Sequence, residues 1–389
     1  MSVKSLDHYD VRADRGFLCD FDPCTAELPA HALPAAELAA DLPARVVAGR
    51  VRRDIEALPD VPLEALAGIT SDAVVRTSLV HYSFLGQAYV WCEEPVPQKL
   101  PQTIARPLWV LAERQQQPPI LTYSQYVLDN WSLIDPGGPV DLTNIRMVQP
   151  FAGGVDEAWF VTVHVAIEAA AGRMLARIPE TVAAADRHDA DCLTIELEAM
   201  IGVWDVMLAA FDRMTERCDP YVYFNRVRPW IHGFKDNPAL PDGIEYEGVA
   251  ATHGKPQTFR GQTGSQSSIV PVMDALLSVG HSHDPLRGYL DELHEYRPLP
   301  HRRFIDDVRN ASRVRDTVKA IRQQRLTAAY NECLDRLTRF RTRHLEYAGS
   351  YINKQARGSA GNATDIGTGG TPFMKYLKKH RDEAGAHRL

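Results

Sequence analysis

Between Leu326 and Ile352 the chain reads LTAAYNECLDRLTRFRTRHLEYAGSYI. Leu326, Tyr330, Cys333, Leu337, Phe340, Ala348 and Tyr351 recur at steps of three and four, the repeat of one buried helical face. His344 falls on that stripe, while Asp335, Arg336, Arg339, Arg341 and Arg343 stand between its positions, so the opposite face is expected to be charged. A titratable ring is thereby drawn out of water, and leaving it unpaired costs roughly 1 to 3 kcal/mol. Either it is a core histidine with a hydrogen-bond partner, or it is a ligand. Arg341 lies one turn earlier, which suits a haem iron: an axial imidazole needs an inward helical position, and haem propionates need a guanidinium nearby.

A second cluster of candidate ligands is His281-Ser282-His283-Asp284, with His294 or His301 as further donors. It sits in a Gly- and Pro-flanked loop without fixed spacing, so exposed loop histidines are its plainer meaning and a non-haem metal the alternative. Small residues in FRGQTGSQSS (259–268) let backbone approach a ligand, and they open a helix at Ile269 that carries Asp274. Nucleotide-binding glycine loops, a G-x-S-x-G elbow, H-E-x-x-H and C-x-x-C-H are all missing, so a haem would be held without covalent attachment.

The elements that must position these residues are helical. Helical periods are read over Val74–Trp91, Arg106–Arg114, Ile120–Trp131, Trp159–Ala171 and Asp189–Met214, and no series of alternating strands appears. The fold class is all-α: a large helical domain (151–389) with a smaller, mainly helical N-terminal domain (1–150) covering one side of the site. The boundary is placed near Pro150, between the turn DPGGP and the loop at Gly153-Gly154. Residues 221–268 are aromatic- and Pro-rich without a period, and 356–371 are Gly-rich enough to act as a mobile lid or a plain linker.

At 389 residues, 45% hydrophobic and 24% charged, the composition is globular, and the net charge of −7 is spread over mixed-sign surfaces. No basic stripe suits nucleic acid and no segment suits a membrane span, so a small-molecule partner is expected. Six scattered cysteines read as reduced thiols of a cytoplasmic protein.

Read together, PPILTYSQYVLDNW, WFVTVHVAIEAAA, FNRVRPWIHGFKDNPALPDGIEYEG, FRGQTGSQSS, PHRRF, RTRHLEYAGSYI and GTGGTPFMKYLK resemble indoleamine 2,3-dioxygenase, the monomeric haem enzyme of the tryptophan dioxygenase superfamily. The resemblance runs from about 118 to 378 and more faintly before that. It implies that His344 is the proximal iron ligand, Arg341 a propionate partner, and Asp274 a carboxylate that orients the imidazole. Phe224 and Gly264 would also border the haem.

For substrate, the resemblance implies an aromatic pair, Tyr223 and Phe224, with Arg228 on the amino acid's carboxylate. Pro229 biases Arg228 away from helical geometry. Tyr123, Tyr126, Trp159 and Phe160 would form the distal wall. Within Thr162–Val163–His164, ungapped counting puts Val163 at the family's distal position; His164 would be a distal base if it pointed inward, or else a core histidine bonded to Glu168. Thr263, Gly264 and Thr368 would contact the substrate.

The implied activity is cleavage of L-tryptophan to N-formylkynurenine by haem b and dioxygen, in the kynurenine pathway, with an electron donor to keep the iron ferrous. Two alternatives stay open: a related enzyme acting on a modified tryptophan or another indole, and a haem sensor with little turnover.

Overall fold

The computed structural model describes residues 3–280, 285–355, 367–368 and 373–389. The His281–His283 cluster and most of the 356–371 segment lie outside the described residues. The helical period at the C-terminal end is realised as one helix, Gln324–Ala348, continued by a wide turn over Gly349–Asn353. Its apolar stripe packs against the helix Ala190–Asp212 on one side and the helix Phe373–Gly385 on the other. Ala190–Asp212 in turn packs on Val155–Leu175, so these helices form the frame of the site.

The frame's helices start where sequence chemistry provides caps. Asp189 accepts from the Cys192 amide at 3.0 Å, which satisfies one of the orphan donors of the first turn of Ala190–Asp212. At the start of Val155–Leu175 a different device operates: Glu157 folds back and its carboxylate accepts from the amides of Phe151, Ala152 and Gly153. That fixes the loop at Gly153-Gly154, both of which have positive φ, so the turn needs residues without a Cβ.

The N-terminal half contributes the helices Asp72–Trp91 and Gln102–Arg114, packed on each other. Its hydrophobic cluster is continuous with that of the larger half: Phe84 stacks on Phe151 at 4.3 Å, and Phe151 on Trp230 at 5.5 Å. The N-terminal arm docks on the same frame. A Cβ on Gly16 would come within 2.1 Å of the Glu168 carbonyl, so only glycine permits that approach.

Among the described residues strands are confined to two short pairs, Lys99–Leu100 parallel to Glu245–Tyr246 and Trp131–Leu133 antiparallel to Ile145–Met147. The second corrects one expectation. Ile120–Trp131 is no continuous helix: only a single wide turn, Ser124–Leu128, forms before Trp131 enters the strand. Polar residues at its end draw the chain away. Asp129 is buried against Arg76, and Asn130 donates from Nδ2 to the Gln149 carbonyl (2.9 Å) while its Oδ1 accepts the Gln149 amide (2.7 Å). The amides of Asp129 and Asn130 still close the turn, on the carbonyls of Ser124 (2.8 Å) and Val127 (3.4 Å), while these side-chain pairings and the Val148 amide on the Asn130 carbonyl (3.3 Å) carry the chain off into the strand. Arg228 differs too: it adopts helical angles (φ −58°, ψ −37°) despite preceding Pro229, at the junction of two short turns.

Candidate functional site

Two cavities share a wall. The larger, of about 670 Å³, is lined by Tyr123, His164, Glu168, Asp274, Arg341 and His344 among others. The smaller, of about 140 Å³, is lined by Phe160, Tyr223, Thr263, Tyr347, Tyr351 and Thr368. His164, Phe211, Gly264 and His344 border both. The Val155–Leu175 helix brings in Phe160, His164 and Glu168, at positions i, i+4 and i+8 of one face. Tyr347 and Tyr351 follow His344 at i+3 and i+7 for the same reason.

His344 makes no hydrogen bond among the described residues, and burial lowers its pKa to about 4, so the imidazole is neutral with a lone pair to offer. Asp274, expected to orient it, is seen bonded to Arg341. Its Oδ2 accepts from Arg341 Nη2 at 2.6 Å, both side chains being nearly enclosed. A guanidinium is the stronger partner for a buried carboxylate, because the pair neutralises two charges that each cost energy away from water.

No group of three or more His, Cys, Asp or Glu side chains converges among the described residues. One neutral imidazole fits an iron that brings its own equatorial donors. Arg341 fits the carboxylates such a macrocycle carries. Gly264 leaves the wall facing His344 without a side chain; a Cβ there would stand 3.9 Å from the ring.

His164 settles which of residues 162 to 164 meets the cavity. Thr162 turns its hydroxyl back to the Ala158 carbonyl at 2.9 Å, and Val163 is fully enclosed and lines neither cavity. The His164 ring packs between Phe160 (4.6 Å) and Tyr123 (6.3 Å). Its Nδ1 donates to the Phe160 carbonyl at 2.7 Å, which leaves Nε2 as an acceptor. Burial lowers its pKa, so this neutral tautomer persists near neutral pH. It is not bonded to Glu168, whose Oε1 accepts instead from Tyr123 Oη (3.0 Å) and Ser267 Oγ (2.8 Å).

Of the other expected residues, Tyr123, Tyr223, Thr263, Gly264 and Thr368 line a cavity. Thr368 Oγ1 donates to the Gln262 carbonyl at 2.6 Å, and its own carbonyl accepts the Gly233 amide at 3.1 Å. Tyr126, Trp159, Phe224 and Arg228 do not reach either surface. Trp159 donates from Nε1 to the Arg213 carbonyl. Arg228 is wholly enclosed, with its guanidinium 5.4 Å from the Phe224 ring centre, and burial lowers its pKa to about 10, so it stays charged.

With this geometry in place, similarity to known proteins is decisive. The description of the family "Indoleamine 2,3-dioxygenase" matches residues 5–387. The chain belongs to the indoleamine 2,3-dioxygenase family. Indoleamine 2,3-dioxygenase 1 of Rattus norvegicus is 32% identical over 394 residues, covering 98% of this chain and 95% of the relative. The 6-hydroxytryptophan 2,3-dioxygenase fscD of Fusarium equiseti is 28% identical over 400 residues, covering 98% and 97%. A protein named myoglobin from Haliotis madaka is 29% identical over 392 residues, covering 98% of each chain.

Membership makes this an oxidoreductase of the indoleamine 2,3-dioxygenase type, a haem-dependent dioxygenase. The all-α fold accords with that family, and no described helix is long and apolar enough to cross a membrane. The six cysteines are free. Sequence reading missed Phe211, Tyr347 and Tyr351 as wall residues, although the latter two share the helical face of His344 and were legible there.

Proposed function

We propose that this dioxygenase opens the indole ring of L-tryptophan to N-formylkynurenine, using haem b and dioxygen. The observation that carries the reading is the pairing of two neutral imidazoles on one cavity, one free to bind iron and one free to accept a proton-bearing nitrogen. Bound haem would supply activation of dioxygen and insertion of both oxygen atoms across the double bond of the five-membered ring. An electron donor would keep the iron ferrous.

The chain's residues bind, orient and keep the site dry. His344 would hold the iron, and Arg341, already paired with Asp274, would take the cofactor's carboxylates. His164 Nε2 accepts the indole N–H, since its other nitrogen is committed to Phe160. Phe160 and Tyr223, 4.7 Å apart, flank the ring. Holding the reacting atoms in register this way supplies the entropy part of the barrier.

At the amino acid end, Thr263, Gly264 and Thr368 lie on the smaller cavity's wall. Arg228 is assigned to the carboxylate, and it reaches the cavity only if the turns from Tyr223 to Ile231 shift. The small N-terminal domain, 1–150, contributes Tyr123 to the wall. Six free thiols support a reducing, cytoplasmic setting.

A second reading is favoured by Tyr126, whose hydroxyl is buried without a hydrogen-bond partner among the described residues, 6.4 Å ring to ring from Phe160. Tyr126 lines neither cavity, so its hydroxyl would reward a polar substituent on the substrate's six-membered ring only if the Phe160 ring beside it shifts, and the Fusarium equiseti relative is named for a hydroxylated tryptophan. Anaerobic reduction, followed by oxygen with L-tryptophan or its ring-hydroxylated forms, decides between them. The product mass identifies the substrate, and haem without turnover on any of them would make the chain an oxygen carrier or sensor.

A further inference from the structure

Two glutamates are buried on the Val155–Leu175 helix, and the fold treats them differently. Glu157 accepts three backbone amides, at 2.7, 3.2 and 3.0 Å, using both oxygens. Glu168, about three turns on, is 1% exposed and accepts only the hydroxyls of Tyr123 and Ser267, both on Oε1. Its Oε2 is buried with no partner among the described residues. Glu168, Tyr123 and Ser267 all line the larger cavity together with His344.

A half-satisfied carboxyl at such a place costs stability that an apolar side chain would avoid. The groups that face it are few. Tyr123 comes from the Ser124–Leu128 turn, Ser267 from the small-residue loop, and neutral His164 from one turn earlier on its own helix. Arg297 donates to the carbonyls of Ser265 (2.7 Å) and Ser267 (3.2 Å), and the Arg341–Asp274 pair lies across the cavity. No fixed cation is bonded to Glu168 among the described residues, so its charge responds to whatever charge the cavity's occupant carries.

We propose that Glu168 is the proton acceptor coupled to one-electron reduction of the iron: as a donor passes one electron to the ferric form, the Glu168 carboxylate takes one proton from solvent at Oε2. Reoxidation expels the proton, so charge in the cavity is conserved in both directions. The inference rests on the haem reading above. Burial has already raised the Glu168 pKa to about 7, so both forms are populated near neutral pH and a change in iron charge shifts the balance. Tyr123 and Ser267 are positioning residues here, since their hydroxyl donors favour the charged form.

The test is a potentiometric titration of the haem-loaded protein with dithionite, followed in the Soret region between about pH 5 and 9. In the wild type the midpoint potential falls as pH rises through the window around neutrality, and reduction at pH 7 takes up protons measurable with an indicator dye in weak buffer. In Glu168→Gln, with the Soret band intact, the potential is flat with pH and the dye records no uptake. His164→Gln keeps the wild-type slope.

Tyr123→Phe removes one donor to the carboxylate, so the pH-dependent window moves upward; this variant decides the matter if Glu168→Gln fails to fold. A pH-independent potential in the wild type, a slope retained in Glu168→Gln, or a window unmoved in Tyr123→Phe overturns the assignment. Failure of the wild type to take up haem would instead sink the underlying reading.

Discussion

Arg341 Nη2 donates to Asp274 Oδ2 at 2.6 Å, joining the helix of His344 to the short helix Ile269–Leu276 across the floor of the larger cavity. The pair fixes a guanidinium one turn from His344, the imidazole proposed to bind the iron. It also places a carboxylate where it screens that guanidinium, so the affinity of the site for an anionic cofactor depends on both partners.

Removing the carboxylate leaves Arg341 buried and uncompensated. Asp274→Ala should lower stability by roughly 3 to 5 kcal/mol, and Asp274→Asn by less, because the amide oxygen still accepts. Thermal unfolding of the two variants beside the wild type measures this. Equal midpoints for all three would show that the pair contributes little.

The frame around that pair was legible from period alone. Gln324–Ala348 and Ala190–Asp212 carry unbroken three- and four-residue spacing, and both form as single helices. Ile120–Trp131 has the same apolar character, yet Asp129 and Asn130 find partners in Arg76 and Gln149, which lie far away in sequence. Period cannot register such partners. Ungapped counting against the family's pattern put Val163 at the distal position and left His164 open, whereas the rotation of Val155–Leu175 follows from the Glu157 fold-back and from packing on Ala190–Asp212. Neither is visible in a stretch of text.

His164 carries the next expectation. Its Nε2 is the proposed acceptor for the indole N–H, and loss of one such hydrogen bond costs about 1 to 1.5 kcal/mol, so on that proposal His164→Leu should reduce kcat/KM for L-tryptophan roughly tenfold. Methylation of the indole nitrogen removes the same bond from the other side. The wild type should therefore discriminate against 1-methyltryptophan and the variant much less; equal discrimination by both proteins contradicts the contact.

Arg228 is enclosed beside Phe224 and charged. If the turns Tyr223–Ile231 move to bring it to the substrate carboxylate, Arg228→Lys should raise KM at least tenfold while oxygen affinity of the reduced protein stays unchanged, because a single ammonium cannot reproduce a two-pronged contact. Unaltered KM would confine Arg228 to a packing role.

Glu168 gives the fold a pH dependence of definite sign. Its folded pKa, about 7, lies above the unfolded carboxylate value of 4.5, so the folded chain holds this proton more tightly. The stability it confers is fully present below about pH 4.5, declines as pH rises, and is gone above about 7. Glu168→Gln should be more stable than the wild type at pH 8, by at most about 3.4 kcal/mol, and approach it at pH 5, as thermal unfolding at the two pH values would measure. A difference that is constant with pH would mean that the carboxyl does not titrate in that interval.

The account stands or falls on His344 as the iron ligand, and a haem titration of His344→Ala measured against the wild type tests it most directly. The expected result is a wild-type protein with a saturating one-to-one Soret band and a folded variant that fails to develop it. A variant that binds haem to the same stoichiometry with an unchanged spectrum would contradict the assignment.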